Sequence, residues 1–365
     1  METRTRKLDH LRITLLNDVE AGDTWFKYVK LIHRAAPELD LNEVDTRIEL
    51  FGKTLNAPII VTGMTGGNEH SAKINATIAE VVEELGLGMG VGSQRAAIED
   101  PSLSWTYRIA REKAPNALLI ANIGAPQLLK GYGVTEIKKA IEMIDADAIA
   151  IHLNAAQEAF QPEGDVDFKG IIDKVAEIVD ELDTPVIIKE TGAGIDYETA
   201  KAFNEVGIQA FDVSGCGGTS WVKVEMYRAY EKGEEELGLA ASWLSDWGIP
   251  TAASIMEVRT AAPNSIIIGS GGIRNGMEAA KALALGADVV GVALPALKAA
   301  YAGKEELRKF MKAMMIAIKA ALFLTSSPNA EEIKGKAVIF GPLKEWIIER
   351  GLYEYWLGSN KPKRK

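Results

Sequence analysis

Residues 148–158 have the sequence AIAIHLNAAQE, which indicates the kind of strand from which the whole fold is built. The stretch opens as an apolar run, which is typical of a strand buried on both faces, and closes with four polar side chains, His152, Asn154, Gln157 and Glu158. His152 and Asn154 point the same way on a strand because they lie two residues apart. Polar groups at the end of a buried strand need partners, since unpaired burial is costly. These four side chains indicate a site if neighbouring strands end in the same way.

Short apolar runs alternate with amphipathic helical patterns along the chain from Ala57 onward. This alternation predicts parallel strands joined by right-handed crossovers, and eight units over this length predict an α/β fold, a closed TIM (β/α)8 barrel. The predicted strands are 57–62, 86–92, 117–123, 148–153, 185–189, 210–214, 265–269 and 289–294. The predicted helices are 72–85, 135–144, 170–182, 197–206 and 277–285, followed by a longer one at 304–324.

A faint internal repeat supports the barrel. The sequence IDADAIAIHL begins at Ile144, VGIQAFDVSG at Val206 and LGADVVGVAL at Leu285. In each, a small or turn-forming residue ends a helix and a buried strand follows, which is the helix-to-strand joint of an α/β unit. The repeat indicates architecture rather than function.

The pattern divides the chain into an N-terminal extension (1–56), the barrel (57–330) and a C-terminal helical and aromatic tail that packs on the barrel (331–365). Within the extension, alternation at 44–51 predicts a strand outside the main body. The strand–helix rhythm is lost between residues 215 and 251, in a long insertion after the sixth strand. A connection of this length is typical of a lid over a binding site, and an oligomer contact is the alternative.

The composition excludes several classes of protein. Lys and Arg number 41 against 51 Asp and Glu, a formal charge of −10, which argues against general nucleic-acid binding. Cys216 is the one cysteine, so we expect no intrachain disulfide and no cysteine metal cage, which fits a reducing compartment. The N-terminus lacks the apolar core of a signal peptide, and no apolar run is long enough to cross a bilayer. We therefore expect a cytoplasmic protein that does not bind membranes, with the basic end KPKRK (361–365) as a solvated tail.

The stretch 266–285, IIIGSGGIRNGMEAAKALAL, is the strongest local signal for ligand binding. A buried strand runs into Gly271 and Gly272, and Asn275 then caps a helix. Glycines let backbone N–H groups approach a ligand closely, and a helix N-terminus offers free donors and a positive dipole end. This is the seventh strand, where barrels of this type build phosphate sites. The stretch therefore predicts a phosphate site, with Arg274 as a charged clamp.

Polar or glycine-rich residues follow seven of the eight predicted strands, although a packed barrel floor does not need them. Besides the fourth and seventh strands, these ends are 64–67, 93–95, Asn122, 189–191 and 214–219. Lys189 is predicted to be buried, and a buried lysine needs an anionic partner or loses its proton. An anionic ligand is the economical explanation, so the strand ends together predict an anion-binding cavity.

Two residues of these strand ends allow more than one interpretation. Cys216 is interpreted as a small packing residue because nothing in the sequence fixes a base beside it, and a nucleophile is the alternative. Glu158 suits Mg²⁺, whose other ligands would be phosphate oxygens and waters. The four histidines share no metal-ligand spacing, so no larger metal cage is expected.

Six motifs together resemble those of a known family. They are Arg6-Lys7-x-x-His10, Met64-Thr65-Gly66-Gly67, Gly92-Ser93-Gln94-Arg95, His152-x-Asn154-x-x-Gln157-Glu158, Ser214-Gly-x-Gly-Gly-Thr219 and Gly271-Gly272-Ile273-Arg274. In this order, and over nearly the whole chain, they are similar to the motifs of the type 2 isopentenyl diphosphate isomerases, which are FMN-dependent TIM-barrel enzymes of isoprenoid biosynthesis. The first and fourth motifs are the most specific, since many FMN barrels share the glycine motifs.

The resemblance implies roles for individual residues. FMN would be contacted by Met64, Thr65, Ser93, Asn122, Lys189, Ser214 and Thr219, and its phosphate by Gly272, Arg274, Ala293 and Leu294. The substrate would be held by Arg6, Lys7, His10, Arg95, Asn154 and Gln157, which places the N-terminal extension in the substrate site. Glu158 would bind Mg²⁺, and the catalytic residues would be Gln157, His152 and Lys189.

The implied reaction interconverts isopentenyl and dimethylallyl diphosphate, with reduced FMN as the acid–base group, Mg²⁺ on the diphosphate and NAD(P)H as the reductant. The family assembles as tetramers or octamers, so a homo-oligomer is expected. Three alternatives remain: a barrel similar to IMP dehydrogenase that uses Cys216 and NAD, an FMN-dependent hydroxy-acid oxidase, and a barrel that binds without chemistry.

Overall fold

Eight parallel strands form a closed barrel in the computed structural model, which describes residues 2–359. All strands, inside and outside the barrel, are β1 Val29–Leu31, β2 Ile48–Leu50, β3 Lys53–Leu55, β4 Ile59–Val61, β5 Gly88–Gly90, β6 Leu118–Gly124, β7 Ala148–His152, β8 Val186–Lys189, β9 Ala210–Asp212, β10 Ile266–Ser270, β11 Val289–Val292 and β12 Ala337–Ile339. Strands β4 to β11 pair in chain order, and β11 closes the ring on β4 with Val290 opposite Ile59. The predicted TIM barrel and its eight strands are confirmed.

Helices surround the barrel. They are α1 Glu2–Leu16, α2 Glu69–Leu85, α3 Arg95–Glu99, α4 Trp105–Lys113, α5 Ala125–Leu129, α6 Val134–Ile144, α7 Ala155–Glu158, α8 Ile171–Glu181, α9 Tyr197–Glu205, α10 Trp221–Glu231, α11 Glu235–Trp243, α12 Thr251–Ala261, α13 Gly276–Ala284, α14 Leu294–Ala302, α15 Lys304–Leu324, α16 Gly341–Glu349 and α17 Tyr353–Ser359. The six predicted helices are confirmed as α2, α6, α8, α9, α13 and α15. None of the helices within residues 2–359 is long and apolar enough to span a bilayer.

The barrel interior changes from apolar to polar along its axis. An apolar cluster fills its middle: Ile60, Leu118, Ile120, Ala148, Ala150, Ile187, Ala210, Ile268 and Val289. Inward-facing residues recur at every second position of a strand. The next inward positions towards the carboxyl ends are Thr62, Asn122, His152, Lys189, Asp212, Ser270 and Gly291, which line cavities. The polar strand ends therefore share one layer above an apolar core.

A β-hairpin closes the amino end of the barrel. Strands β2 and β3 are antiparallel, with Ile48 opposite Leu55, and Leu50 and Leu55 are buried in the same cluster as the barrel interior. The strand predicted at 44–51 is therefore shorter than expected, and it covers the barrel floor instead of lying apart from it. The plugged floor leaves the carboxyl end for a ligand.

The segments before and after the barrel meet each other. Strand β1 pairs antiparallel with β12, with Val29 opposite Ile339. Helix α16 is tied to the barrel helix α12, where Trp346 Nε1 donates to the buried Glu257 Oε1 at 2.7 Å. The basic end at 361–365, expected to be a solvated tail, lies outside the described residues.

The insertion after β9 folds into helices α10 and α11. Helix α10 packs against α1 and α7 beside the barrel mouth, and Trp221 lines the cavity there. Trp243 and Trp247, at and after the end of α11, are 71% and 64% exposed. The insertion thus supplies a cavity wall through α10 and an exposed aromatic surface through α11.

The three helix-to-strand joints expected from the repeat have one geometry. Asp145, Gly207 and Gly286 have φ angles of 47°, 95° and 119°, the left-handed conformation that ends a helix. The next residue in each joint donates its N–H to a carbonyl five positions earlier, in the pairs Ala146–Ile141, Ile208–Phe203 and Ala287–Ala282, at 3.0, 3.1 and 3.1 Å. The repeat is therefore confirmed as architecture.

A second repeat is visible in the structure. The pattern R-x-x-A-P-N occurs at 111–116 and again at 259–264. Arg111 donates to Asp147 Oδ2 at 3.1 Å, and Arg259 donates to Asp288 Oδ2 at 2.6 Å. The same Oδ2 atoms accept backbone N–H groups of the preceding barrel strands, at 2.9 and 2.7 Å. The two joints, β6 to β7 and β10 to β11, lie four strands apart in the ring.

Candidate active site

A large cavity opens at the carboxyl end of the barrel. It encloses about 1540 Å³ of atom-free space including its open mouth. Every site residue expected from the sequence lines it: Arg6, Lys7, His10, Met64, Thr65, Ser93, Arg95, Asn122, His152, Asn154, Gln157, Glu158, Lys189, Ser214, Thr219, Gly272, Arg274, Ala293 and Leu294. Residues distributed over the whole sequence therefore meet in one place.

Helix α1 forms one wall of the cavity. Arg6, Lys7, His10, Leu11 and Thr14 all line it, and their spacing of three or four residues places them on one helix face. The positive charge of Arg6 acts across the cavity, where it helps to lower the pKa of His152. The Thr14 hydroxyl is buried and has no partner among the described residues. The N-terminal extension therefore adds cations and an unpaired polar group to the barrel mouth.

Lys7 is held by two oxygen acceptors. Its Nζ donates to the Ser93 carbonyl and, at 2.6 Å, to Tyr107 Oη, and it lies 5.2 Å from the centre of the Tyr107 ring. Burial, together with the nearby charge of Arg6, lowers the pKa of Lys7 to about 7. Lys7 therefore changes its charge close to neutral pH.

Glu225 of the insertion joins α1 to the motif after β7. Glu225 Oε1 lies 2.7 Å from His10 Nε2 and accepts from Gln157 Nε2 at 3.3 Å. Its other oxygen accepts from Arg228 Nη1 at 2.5 Å, and the Glu225 side chain is 0% exposed. Burial lowers the pKa of His10 in spite of this carboxylate. The sequence interpretation missed Glu225 and Arg228, although opposite charges three residues apart on an otherwise apolar helix face are a usable signal.

Glu158 lies in a network of amides. Its Oε1 accepts from Asn154 Nδ2 at 2.7 Å, and its Oε2 accepts from Gln161 Nε2 at 3.0 Å and from the Asp165 N–H at 2.6 Å. Burial raises the pKa of Glu158. Asn154 Oδ1 is buried and has no partner within the described residues. Glu158 and Asn154 therefore present a carboxylate and an unpaired amide oxygen in one part of the cavity wall.

His152 is held as a neutral imidazole. Its Nδ1 lies 2.7 Å from Asn122 Oδ1, and an amide oxygen only accepts, so Nδ1 carries the proton. Burial, with Lys189 nearby, lowers the pKa of His152 to about 3. Nε2 is therefore left as an acceptor. Asn122, expected beside the cofactor, lines the cavity and also fixes this tautomer.

Lys189 has an anionic partner inside the protein. Its Nζ lies 3.1 Å from Asp212 Oδ2 and donates to the Glu190 carbonyl at 3.0 Å. Asp212 Oδ1 in turn accepts from the Ser270 hydroxyl. The argument that a buried lysine here calls for an anionic ligand is therefore wrong, because the partner lies on the neighbouring strand β9. Lys189 still lines the cavity, so its ammonium group faces any ligand there.

Two arginines of the cavity are paired with carboxylates. Arg95 Nε lies 2.6 Å from Glu99 Oε1, and its Nη1 lies 3.4 Å from Asp165 Oδ2. Arg274 Nε donates to Glu20 Oε1 at 2.7 Å. An incoming phosphate would share these cations with the carboxylates or displace them.

The glycine-rich ends of β9 and β10 pack against each other. Gly272 has a φ of 71°, and a Cβ there would lie 2.5 Å from the Gly217 carbonyl oxygen. The N–H groups of Gly272 and Ile273 form no hydrogen bond within residues 2–359. Helix α14 begins at Leu294, after Ala293, without a side-chain cap. Free N–H donors beside an uncapped helix start are suited to a phosphate.

Three other residues expected at the cofactor, Thr65 after β4 and Ser214 and Thr219 after β9, have partners within the protein. Thr65 Oγ1 lies 2.5 Å from Ser71 Oγ, and the Ser214 N–H donates to Ser270 Oγ at 3.0 Å. Thr219 forms a β-bridge with Glu20, the partner of Arg274. All three residues line the cavity.

Replacing Gly272 with Ala is expected to weaken FMN binding by at least about tenfold. The new Cβ would collide with the Gly217 carbonyl, and the residue would be strained at its positive φ. Fluorescence titration of the apoprotein with FMN measures the effect. Gly133→Ala is the control, because a Cβ at Gly133 meets nothing within 4 Å and no left-handed φ is required. Equal affinities for the two variants would contradict the assignment of the loop at Gly272 as the phosphate site.

Comparison with known proteins agrees with this geometry. The sequence profile of the family described as FMN-dependent dehydrogenase matches residues 116–339, more than half of the chain. The solved structure of a mandelate oxidase with (S)-2-phenylpropionate superposes with a TM-score of 0.62 at 16% identity, covering 93% of this chain and 97% of that one. At this identity the structural likeness shows the fold alone. Fold and profile together define the class, a barrel of the FMN-dependent dehydrogenase type.

Relatives with higher sequence identity identify the family more specifically. The chain is 74% identical to the isopentenyl-diphosphate delta-isomerase of Ignicoccus hospitalis, over 98% of this chain and 99% of that one. It is 51% identical to the enzyme of the same name from Sulfurisphaera tokodaii, over 98% of both chains. The chain belongs to the isopentenyl-diphosphate delta-isomerase family, in its FMN-dependent type 2 form, and the resemblance drawn from the motifs is confirmed.

Proposed function

We propose that the protein interconverts isopentenyl and dimethylallyl diphosphate, with reduced FMN and a Mg²⁺-bound diphosphate in one cavity. The observation that carries the proposal is the combination of two anion-binding regions in a member of this family. One is the glycine cradle, formed by the free N–H groups of Gly272 and Ile273 after β10 and the start of α14 after β11. The other is the group of cations Arg6, Lys7 and Arg95, which line the same cavity as Glu158. A cofactor phosphate and a substrate diphosphate need two such regions.

The residues present fit FMN. The free N–H groups of Gly272 and Ile273 and the start of α14 suit its phosphate, and Lys189 suits the electron-rich edge of its ring. When bound in reduced form, FMN supplies the proton donor and acceptor for moving the double bond. Asp212 fixes the Lys189 ammonium where it can stabilise negative charge on the ring. NAD(P)H is the proposed reductant.

The carboxylate of Glu158 fits Mg²⁺. This ion is usually bound by one or two carboxylates together with substrate phosphates and waters. Within residues 2–359 no group of three or more His, Cys, Asp or Glu is placed to hold a metal. Glu158 Oε1, with the unpaired Asn154 Oδ1 nearby, would supply oxygen ligands of the kind that Mg²⁺ prefers.

The protein's own side chains would bind the diphosphate, orient neighbouring residues towards the substrate and shield the hydrocarbon from water. Arg6, Lys7 and Arg95 would bind the diphosphate, and Leu11 and Trp221 line the same cavity with apolar surface that excludes water from the hydrocarbon. Glu225 orients His10 and Gln157 towards the substrate. His152 offers Nε2 as an acceptor, because its Nδ1 proton is directed at Asn122. The protein is further proposed to be a homo-oligomer, a tetramer or octamer, with the aromatic surface of α11 as a contact.

Proton exchange with isopentenyl diphosphate tests the function directly. The purified protein, loaded with FMN and reduced by NADPH, is incubated with isopentenyl diphosphate and Mg²⁺ in D₂O without oxygen and followed by NMR. We expect dimethylallyl diphosphate with deuterium incorporated, and no conversion with oxidised FMN or with EDTA. Absence of conversion under reducing conditions would contradict the proposal, and steady oxygen consumption with a hydroxy acid would indicate an oxidase instead.

Replacing Cys216 with Ala is expected to leave isomerisation within about twofold of the original rate. The Cys216 thiol is buried, it contacts the Asp246 carbonyl at 3.3 Å, and burial raises its pKa, all of which support a packing role. Turnover measured beside the FMN spectrum checks the prediction. Complete loss of activity with FMN retained would favour the alternative with a cysteine nucleophile.

A further inference from the structure

We propose that Tyr107 is a positioning residue that holds Lys7 against the diphosphate of the substrate, an inference that rests on the proposed function. Tyr107 lies on α4, is 0% exposed and belongs to none of the six motifs. It does not line the cavity, so it would act through Lys7 rather than on the substrate.

The hydroxyl of Tyr107 connects α1 to the end of β5. Tyr107 Oη accepts from Lys7 Nζ at 2.6 Å and donates to the Ser93 carbonyl at 2.6 Å. Lys7 Nζ also donates to the Ser93 carbonyl. An ammonium group has three donors, and these contacts use two of them. The third donor is left for an anion in the cavity that Lys7 lines.

The ring of Tyr107 also accounts for the glycine pair after β4. A Cβ on Gly66 would overlap the ring, and a Cβ on Gly67 would lie 3.1 Å from Tyr107 Oη and 3.3 Å from Lys7 Cδ. The Gly67 N–H donates to Thr106 Oγ1 at 3.0 Å. Tyr107 therefore fixes Lys7 relative to the ends of the first two barrel strands.

The charges around Lys7 make the Tyr107 hydroxyl important for keeping Lys7 protonated. Arg6 and Arg95 oppose the Lys7 ammonium, Glu99 favours it, and burial is the largest cause that lowers its pKa to about 7. Burial raises the pKa of Tyr107, so its hydroxyl stays neutral and keeps accepting. Loss of the hydroxyl removes an acceptor of the charged form, which lowers the pKa of Lys7 further. Lys7 would then lose its positive charge, and its contact with an anion, at a lower pH.

The test compares Tyr107→Phe with the unchanged protein, both loaded with FMN. Calorimetric titration with inorganic pyrophosphate near pH 7 is expected to show roughly tenfold weaker binding, the usual size for a lost hydrogen bond to a charged group. The alkaline limb of the binding profile should move to lower pH, and KM for isopentenyl diphosphate should rise more than kcat falls. Tyr227→Phe is the matched control, since the Tyr227 hydroxyl donates to the Asp18 carbonyl at 3.2 Å and Tyr227 is not among the residues that line the cavity.

A Lys7→Met background separates the possible outcomes. If Tyr107 acts through Lys7, Tyr107→Phe changes pyrophosphate binding little in that background. An equal effect in both backgrounds, no effect in either, or loss of bound FMN caused by Tyr107→Phe alone would overturn the inference. Unchanged pyrophosphate binding by Lys7→Met itself would instead contradict the substrate site of the proposed function.

Discussion

Glu158→Gln is expected to lower kcat/KM for isopentenyl diphosphate by at least about 100-fold while the protein keeps its FMN. The amide keeps the shape of the side chain but loses the negative charge that is proposed to bind Mg²⁺. Whichever carboxylate oxygen its NH₂ group replaces, that group also faces a donor: Asn154 Nδ2 at the Oε1 position, or Gln161 Nε2 and the Asp165 N–H at the Oε2 position. Titration of activity with Mg²⁺ should show a higher half-saturating concentration.

Glu136→Gln is the control for this change. Glu136 accepts from the Gly133 N–H at the start of α6, outside the cavity, so its replacement should leave turnover within about twofold. A visible spectrum of each variant establishes that FMN is bound. Loss of FMN from Glu158→Gln, or unchanged Mg²⁺ dependence, would mean that Glu158 supports the fold of the site rather than the metal.

Glu225→Ala is expected to destabilise the protein by about 3 kcal/mol, and to reduce turnover together with stability. Arg228 would stay buried with Glu163 as its remaining partner, and His10 and Gln157 would lose the oxygen that they share. Urea unfolding of the FMN-loaded protein measures the stability, and steady-state kinetics measure the turnover.

The same helix provides the control for Glu225→Ala. Glu231 pairs with Arg12, and this pair also joins α10 to α1, but both side chains are 46% exposed. Glu231→Ala should therefore cost less than about 1 kcal/mol. Equal losses for the two variants would show that contact between α1 and α10, and not the buried charge of Glu225, determines stability.

The barrel could be predicted because its strands are fully buried and turn polar at one end. The strand β7 shows this in a single stretch, from Ala148 to His152. Helix α12 could not be predicted in the same way, because its residues from Thr251 to Val258 are all buried and leave no polar stripe. A helical period can be recognised in a sequence only where one face of the helix is exposed to solvent and therefore polar.

The residues of the candidate site could be predicted from motifs, but the protein side chains that pair with them could not. Lys189 was expected to face an anionic ligand and is paired with Asp212, and His10 is paired with Glu225, 215 positions away. Such contacts depend on which strands and helices are neighbours in space. Likewise, Gly66 and Gly67 after β4 indicated a ligand loop in the sequence. They are also needed for packing, because a Cβ at either position would crowd Tyr107.

The paired arginine–aspartate joints give the barrel an approximate twofold axis. Arg111 with Asp147 and Arg259 with Asp288 are separated by half of the ring, so a half-turn about the barrel axis relates them. The rim above β10 and β11 carries the glycine cradle, and the diametrically opposite rim above β6 and β7 carries Asn122, His152 and Glu158. The two halves of the ring thus repeat one joint but carry different carboxyl-end loops, glycine-rich on one side and bearing an amide, an imidazole and a carboxylate on the other, and both sets of loops line the same cavity.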